Sequence, residues 1–300
     1  MSVSVWFIRT LWAGSDRRRD AGLTTPAGVE RRDNISYGPD GAWNLLDVYR
    51  PKGAAGLLPT VVSVHGGAYV YGDKDRYQFY CMSLAELGCG VVNFNYHLAP
   101  RYSFPAPLRD LEQVLLWLAR RGADFGLDRD KVFLIGDSAG AQIASQYGAA
   151  WSNPDYGALL GLGRPGVAIR GLGLNCGMYQ LRPEKKRLLG SAVNWYIPKR
   201  AHISQEVLDV LGHIGPGFPP TYLMSAPGDF LADHCMPMAA LLREQNVPTE
   251  AKLYGDKKTG HVFHLDIRSP LGRQANREEL GWLLGRLPEK PLPGQGAVTA

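Results

Sequence analysis

A chain of 300 residues, 45% apolar and 20% charged, has an ordinary globular composition and the length of one large α/β domain, or of a core with a small appendage. Its net charge of +5 is small, and the basic clusters Arg17-Arg18-Arg19 and Lys185-Lys186-Arg187 are short and far apart, so no nucleic-acid stripe is expected. Apolar runs are only about a strand long, so no bilayer span is expected either.

Along the chain, Met1 to Ile8 lacks a basic n-region, and the arginines at 17–19 come after the short apolar stretch, the wrong order for a secretory signal. A cytoplasmic protein is expected, in which the sequon Asn34-Ile35-Ser36 has no consequence. The first 32 residues carry Trp6, Phe7 and Trp12 and belong to no βα unit. Leu45–Tyr49 reads as a strand stopped by Pro51 and Gly53. Thr60–Val64 is a β-branched run, as expected of a strand buried on both faces. Val91–Tyr96 is another. Pro107–Arg121 has helical spacing, with Leu111, Val114, Leu115 and Leu118 on one face and a proline near its start. The strand Lys131–Ile135 leads into a helix of small residues from Ala139 to about Ala150. Further strands are predicted at Ile169–Leu174, Thr221–Ser225 and Glu250–Tyr254, and a last helix over Arg273–Leu284.

Strand and helix in series predict a mostly parallel sheet covered on both faces. The stretch 178–218, with Trp195-Tyr196-Ile197 in its middle, is a long insertion. Together with residues 1–32 it is expected to form a small cap beyond the strand C-termini, on a single domain spanning 1–300. The tail 290–300 is expected to be disordered. Cys81, Cys89, Cys176 and Cys235 form no close pair, and a chain this long folds without disulfides; reduced thiols are expected.

Three motifs carry chemistry. Ser138 sits in Gly136-Asp137-Ser138-Ala139-Gly140, directly after an apolar strand and directly before a helix. Such a bend lifts one hydroxyl out of the sheet beside the free N–H groups of a helix N-terminus. Alone, the pentapeptide is a weak signal. The second motif, His65-Gly66-Gly67-Ala68, also leaves a strand. Its glycines permit backbone N–H groups to approach an oxyanion, so Gly66 and Gly67, joined by Ala139, are the candidate donors. The third is an acid followed by a histidine: Asp229 after the strand at 221–225, and His261 after the strand at 250–254. Both lie where a parallel sheet presents its C-terminal edge. The order Ser…Asp…His is that of α/β-hydrolases.

With these residues in hand, the chain resembles the hormone-sensitive-lipase-like branch of the α/β-hydrolase family. The resemblance rests on His65-Gly66-Gly67-Ala68, Gly136-Asp137-Ser138-Ala139-Gly140, Tyr96-His97-Leu98-Ala99-Pro100 with Phe104 to Asp110, Asp229-Phe230-Leu231-Ala232-Asp233, and His261-Val262-Phe263. It covers about Asp47 to Leu284. It implies an α/β-hydrolase fold and a serine carboxylesterase with the triad Ser138, Asp229 and His261, choosing Asp229 over Asp233 and His261 over His264. His65 is expected to pin the glycine loop, and Asp137 to buttress the bend. Three departures stand out. Ala68 replaces a frequent glycine and would be strained at positive φ. Phe230 replaces a frequent proline. His97 and Arg101 replace an Arg and a Glu, which puts a usual structural ion pair in doubt.

The implied reaction is hydrolysis of small carboxylic esters, with short acyl chains, through an acyl-enzyme. The implied partner is a small-molecule ester, and an edge-strand homodimer stays open. A carbohydrate acetyl or feruloyl esterase, or an arylformamidase, would use the same triad. A non-catalytic ligand receptor on the same fold would be expected to have lost a triad member. Neither a cofactor nor a metal is expected. Gly161-Leu-Gly163-Arg-Pro165-Gly166 matches a dinucleotide motif but precedes a strand instead of following one, and His261-x-x-His264 lacks a third ligand at a persuasive spacing.

Overall fold

Alternation along single strands sets the layers of the molecule. In the computed structural model, which describes residues 3–181 and 188–286, Val62, Val64, Val132 and Leu134 face one apolar layer. Their neighbours Val61, Phe133 and Ile135 face another. This is the period of two that a strand imposes, with both faces covered. The strands are β1 Val29–Ser36, β2 Leu45–Pro51, β3 Leu58–Val64, β4 Gly90–Phe94, β5 Leu127–Asp137, β6 Ile169–Asn175, β7 Thr221–Ser225 and β8 Thr249–Leu253. They form an eight-stranded sheet in the order β1-β2-β4-β3-β5-β6-β7-β8. From β4 to β8 the pairs are parallel, and β1 and β2 add an antiparallel edge.

The helices are α1 Val3–Asp20, α2 Lys74–Ala85, α3 Ala106–Arg121, α4 Ala139–Ser152, α5 Pro154–Leu160, α6 Leu188–Tyr196, α7 Gln205–Leu208, α8 Cys235–Glu244 and α9 Pro270–Leu284. Leu111 and Leu115 of α3, Ile143 of α4 and Leu242 of α8 fill the first layer. Tyr80 and Leu84 of α2, with Leu280 and Leu283 of α9, fill the second. Full burial of each such side chain stabilises the fold by roughly 1.5–3 kcal/mol. None of the described helices is long and apolar enough to cross a membrane.

The strands read from the sequence are present, most with ends shifted by a residue or two. Two elements were not legible. β1 is polar along most of its length, Val-Glu-Arg-Arg-Asp-Asn-Ile-Ser, because only one side of an edge strand is paired and its face is largely exposed. It takes the last residues of the 1–32 segment into the sheet. α2 has no clean apolar stripe, since Lys74, Tyr77 and Tyr80 are buried beside Cys81 and Leu84. Its start is set by Asp73, whose side chain accepts the Arg76 N–H. Its buried Lys74 ammonium lies 3.1 Å from Asp47 Oδ1 in β2.

Helix α1 lies along the loop that follows β3. Arg9 Nε donates to the Val70 carbonyl at 2.7 Å, Trp12 stands edge-on to Tyr71 at 5.7 Å, and Tyr71 Oη donates to Asp16 Oδ2. α1 also touches α6 of the 178–218 insertion. Residues 182–187, with the basic cluster at 185–187, and the tail at 290–300 lie outside the described residues.

Candidate active site

At the end of β5 the chain turns within one residue into α4, and Ser138 carries the turn at φ 53° and ψ −116°. That conformation is unfavourable for any residue with a Cβ, at a cost of order 1–3 kcal/mol. It persists because the Ser138 N–H donates to the Asn175 carbonyl of β6 at 2.9 Å and because Gly140 allows α4 to approach closely. A Cβ on Gly140 would overlap the Val64 and His65 carbonyls. The bend therefore presses against the start of the His65 loop.

In that loop Gly67 has φ +117° and Ala68 and Tyr69 have φ +50° and +63°. Val70 and Tyr71 both donate to the Gly67 carbonyl, at 3.1 and 3.0 Å. His65 is fully buried, stacked on Tyr96 at 4.0 Å, and its Nδ1 donates to the Gly66 carbonyl at 2.7 Å. Burial lowers its pKa to about 4, although the carbonyl contact opposes the shift. Gly66, expected as an oxyanion donor, has another partner in the resting structure. The Gly66 N–H already donates to Tyr77 Oη at 2.9 Å. The same hydroxyl donates to Asp137 Oδ2 at 2.8 Å. The N–H groups of Gly67, Ala68 and Ala139 have no hydrogen-bond partner among the described residues. The free donors thus begin one residue later than the motif suggested.

The acid and the histidine come from adjacent loops that are tied together. Gly228 N–H donates to the Thr259 carbonyl at 3.1 Å; a Cβ on Gly228 would overlap the Lys257 and Thr259 carbonyls. His261 Nε2 lies 3.0 Å from Ser138 Oγ, and His261 Nδ1 lies 2.7 Å from Asp229 Oδ1. Asp229 also accepts from Leu231 N–H at 2.9 Å and from Ser225 Oγ at 2.8 Å. Burial alone would raise the Asp229 carboxyl. The hydrogen bond and charge of His261, with the bonds from Leu231 and Ser225, outweigh it and hold the group below its ordinary value. With Asp229 an acceptor, Nδ1 carries the ring proton and Nε2 is free to accept from the serine hydroxyl. Asp233 is exposed in the turn Ala232–His234.

A family described as "alpha/beta hydrolase fold" matches residues 61–265. The chain belongs to this family. It lies in the hormone-sensitive-lipase-like branch. It is 30% identical to versiconal hemiacetal acetate esterase of Dothistroma septosporum, over 80% of this chain and 78% of that protein. It is 28% identical to esterase LipQ of Mycobacterium tuberculosis, over 90% and 68%. Among solved structures, esterase B of Lactobacillus rhamnosis superposes with a TM-score of 0.84 at 24% identity, over 94% and 95% of the two chains.

The departures from the family pattern have local explanations. Ala68 does adopt positive φ, as one of two consecutive left-handed residues. Phe230 lays its half-exposed ring on the His261 imidazole, with centroids 4.2 Å apart. His97 replaces the missing ion pair: its Nδ1 lies 2.9 Å from both Asp110 oxygens, and its backbone N–H donates to Asp110 Oδ2. Gly161, in the dinucleotide-like motif, caps α5 at φ +67°.

Three features were invisible in the sequence. Tyr77 bridges the loop and the bend from a helix whose pattern gave no sign of it. Cys176 lies against the acid. Beneath the bend lies a buried polar layer of Asn175, Tyr80, His264, Asn276 and Glu279, in which each side chain keeps at least one polar atom without a hydrogen-bond partner among the described residues. Burial raises Glu279 to about 8, with the Asn175 amide opposing and Asp137 assisting. Burial lowers His264 to about 3. Burial also raises Asp137 to about 6, against the pull of the Tyr77 bond and the His261 and Arg19 charges.

Tyr77→Phe leaves the Gly66 N–H and the Asp137 carboxylate unpaired, and chemical denaturation should show a loss of about 1–3 kcal/mol; a loss within error would mean that the bridge contributes nothing. Glu279 holds its proton in the folded state up to about pH 8, whereas the unfolded chain releases it near 4.5. Its contribution is therefore complete below about pH 4.5, declines as the pH rises, and is gone above about 8. Glu279→Gln, which has no proton to lose, should gain in Tm over the wild type progressively from pH 5 to pH 8. A Tm difference independent of pH would mean that Glu279 is ionised in the folded protein.

Proposed function

We propose that the chain is a serine carboxylesterase that cleaves small carboxylic esters through an acyl-enzyme, with Ser138 as nucleophile, His261 as base and Asp229 as the acid that orients it. The observation that carries this reading is the unbroken row of hydrogen bonds from Ser138 Oγ through His261 to Asp229. In the first half-reaction Ser138 Oγ attacks the ester carbonyl carbon while Nε2 takes its proton. Asp229 holds the imidazole in the accepting tautomer and balances the positive charge it gains. The N–H groups of Gly67, Ala68 and Ala139 bind the oxyanion, each without a hydrogen-bond partner among the described residues. Collapse expels the alcohol, which leaves with the proton from Nε2. Water, deprotonated by the same nitrogen, then attacks the acyl-Ser138 and restores the hydroxyl.

Two observations favour a short acyl group. Tyr69, next to the oxyanion loop, is stacked on Tyr196 at 4.0 Å, with Phe104 edge-on behind it. Its hydroxyl is fixed to Gln142 Oε1. A rigid aromatic wall beside the loop limits the space for a long chain. The Dothistroma relative is named for an acetate ester, in keeping with that size. In this reading α1 and the 178–218 insertion act as a cap on one domain, supported by the α1–α6 contact and the bonds from Arg9 to the loop after β3. A homodimer would pair along β8, the last strand of the sheet, where Leu253 is 46% exposed.

Ser138→Ala should lower kcat by roughly 10⁴-fold or more, and a mild loss would remove Ser138 from its role. Activity should fall on acidification, because a protonated imidazole cannot accept the serine proton; a rate undiminished at every acid pH at which the protein stays folded would argue against a histidine base. Across acetyl, butyryl, octanoyl, feruloyl and acetylated-sugar esters, kcat/KM should be highest for the short acyl chains. Inactivity on every ester would favour a ligand receptor.

A further inference from the structure

Cys176 has no task in the hydrolytic sequence of steps, yet it stands against two of the groups that do. It follows the last residue of β6 and adopts φ +49°. That left-handed conformation is held by a bond from its N–H to the Met224 carbonyl at 2.7 Å. Its Sγ, a carboxylate oxygen of Asp229 and a ring nitrogen of His261 lie within 4.8 Å of one another. A tetrahedral zinc ion, about 2.0–2.2 Å from nitrogen and oxygen and about 2.3 Å from sulfur, sets its donors roughly 3.3–3.6 Å apart. The Asp229–His261 pair, now at 2.7 Å, would open by about 0.6 Å, and the sulfur would draw in by about 1.2 Å at most. One thiolate, one imidazole and one carboxylate is a donor set for borderline and soft divalent ions, not for Mg²⁺ or Ca²⁺.

We propose that Cys176, Asp229 and His261 form an inhibitory site for a thiophilic divalent cation such as Zn²⁺ or Cd²⁺. The ion forms bonds to Cys176 Sγ, Asp229 and His261 Nδ1. The thiol proton leaves to solvent, and the ring proton moves from Nδ1 to Nε2. Nε2 then carries a hydrogen and cannot accept from Ser138 Oγ, while Asp229 no longer orients the ring. The site is regulatory and opposes the resting triad, so it is not that of a resident cofactor. The ion displaces the thiol proton on binding. Cys176 and Asp229 are buried and the His261 side chain is 20% exposed, so the ion enters past the imidazole and inhibition sets in slowly.

The inhibition rests on the hydrolase reading; the binding does not. The Ser138→Ala protein, titrated with Cd²⁺ at neutral pH, should develop the ultraviolet charge-transfer absorption of a cadmium–thiolate bond at one equivalent. The absorption should be absent from Ser138→Ala with Cys176→Ala, which keeps the other three cysteines. In the otherwise unaltered enzyme, Zn²⁺ but not Mg²⁺ should inhibit ester hydrolysis, with recovery on addition of EDTA. Cys176→Ala, measured against its own uninhibited rate, should need at least about tenfold more Zn²⁺, and Cys176→Ser should lie between the two. An absent band, or a zinc midpoint unmoved by Cys176→Ala, overturns the proposal. If no ester is hydrolysed, the hydrolase reading fails and the cadmium band alone decides the metal site.

Discussion

One hydroxyl joins the two halves of the site. Tyr77 Oη accepts the Gly66 N–H and donates to Asp137 Oδ2, so the loop after β3 and the bend after β5 are held by a single buried group. Each partner alone would be an unsatisfied polar group in a dry interior, which costs more than the hydrogen bond is worth in water. The bridge depends on where α2 lies. Lys74, one turn before Tyr77, is tied to Asp47 by its ammonium and to Asn95 and Asn93 by its backbone N–H and carbonyl. A buried ion pair is a weak source of net stability. Here its geometric consequence is clear: it fixes the height of α2 against the sheet, and with it the position of the hydroxyl that aligns loop and bend.

The site is also where backbone strain collects. Ala68, Tyr69, Ser138, Cys176 and Val262 all have φ between +49° and +63°, a region unfavourable for side chains and most so for β-branched Val262. Each lies just beyond the end of a strand or beside His261. The parallel strands deliver the chain to one edge of the sheet, and a functional side chain there must be turned out within a residue or two. Two of the turns are held from neighbouring strands, Ser138 by the Asn175 carbonyl and Cys176 by the Met224 carbonyl, and Val262 is held locally, its carbonyl accepting from Leu265 N–H in the turn Phe263–Leu265. The core, with its two apolar layers, supplies the stability against which this strain is set.

How much of this the sequence carried follows from the range of the interactions. Thr60–Val64, Lys131–Ile135 and Pro107–Arg121 were legible because burial on both faces, or on one stripe, writes a period into neighbouring residues. The placement of Ser138, Asp229 and His261 at one edge of the sheet was legible because each comes after a strand, Ser138 at once and Asp229 and His261 after a loop, and because their motifs resemble those of a known family. β1 was not, since an edge strand needs no apolar alternation. α2 was not, since it buries a lysine and two tyrosines, and the partners of Lys74 and Tyr77 lie on β2, β5 and the His65 loop. The partner of the Gly66 N–H was not legible for the same reason. A Gly-Gly pair marks a place where backbone can approach an oxyanion, but which N–H stays free is decided by Tyr77, eleven positions away and on a helix the pattern did not reveal. Cys176, Glu279 and Asn175 gave no signal at all, because a buried polar side chain is written by its three-dimensional neighbours.

Charge placement is the remaining constraint on the chemistry. Three carboxyls lie in or under the site, and their surroundings drive them apart. Glu279, buried without an ion-pair partner among the described residues, keeps its proton to about pH 8. Asp137, buried but bonded to Tyr77, titrates near 6. Asp229, with two protein donors besides His261, is held below the ordinary carboxylate range. At neutral pH the charge therefore sits on Asp229, in contact with the imidazole, and on Asp137, which acts on it through space, while Glu279 stays neutral. A second full charge at Glu279 would raise Asp137 further and weaken the bond through which Tyr77 holds the bend. Keeping that acid protonated is thus part of how the fold keeps the serine, the imidazole and the free N–H groups in register.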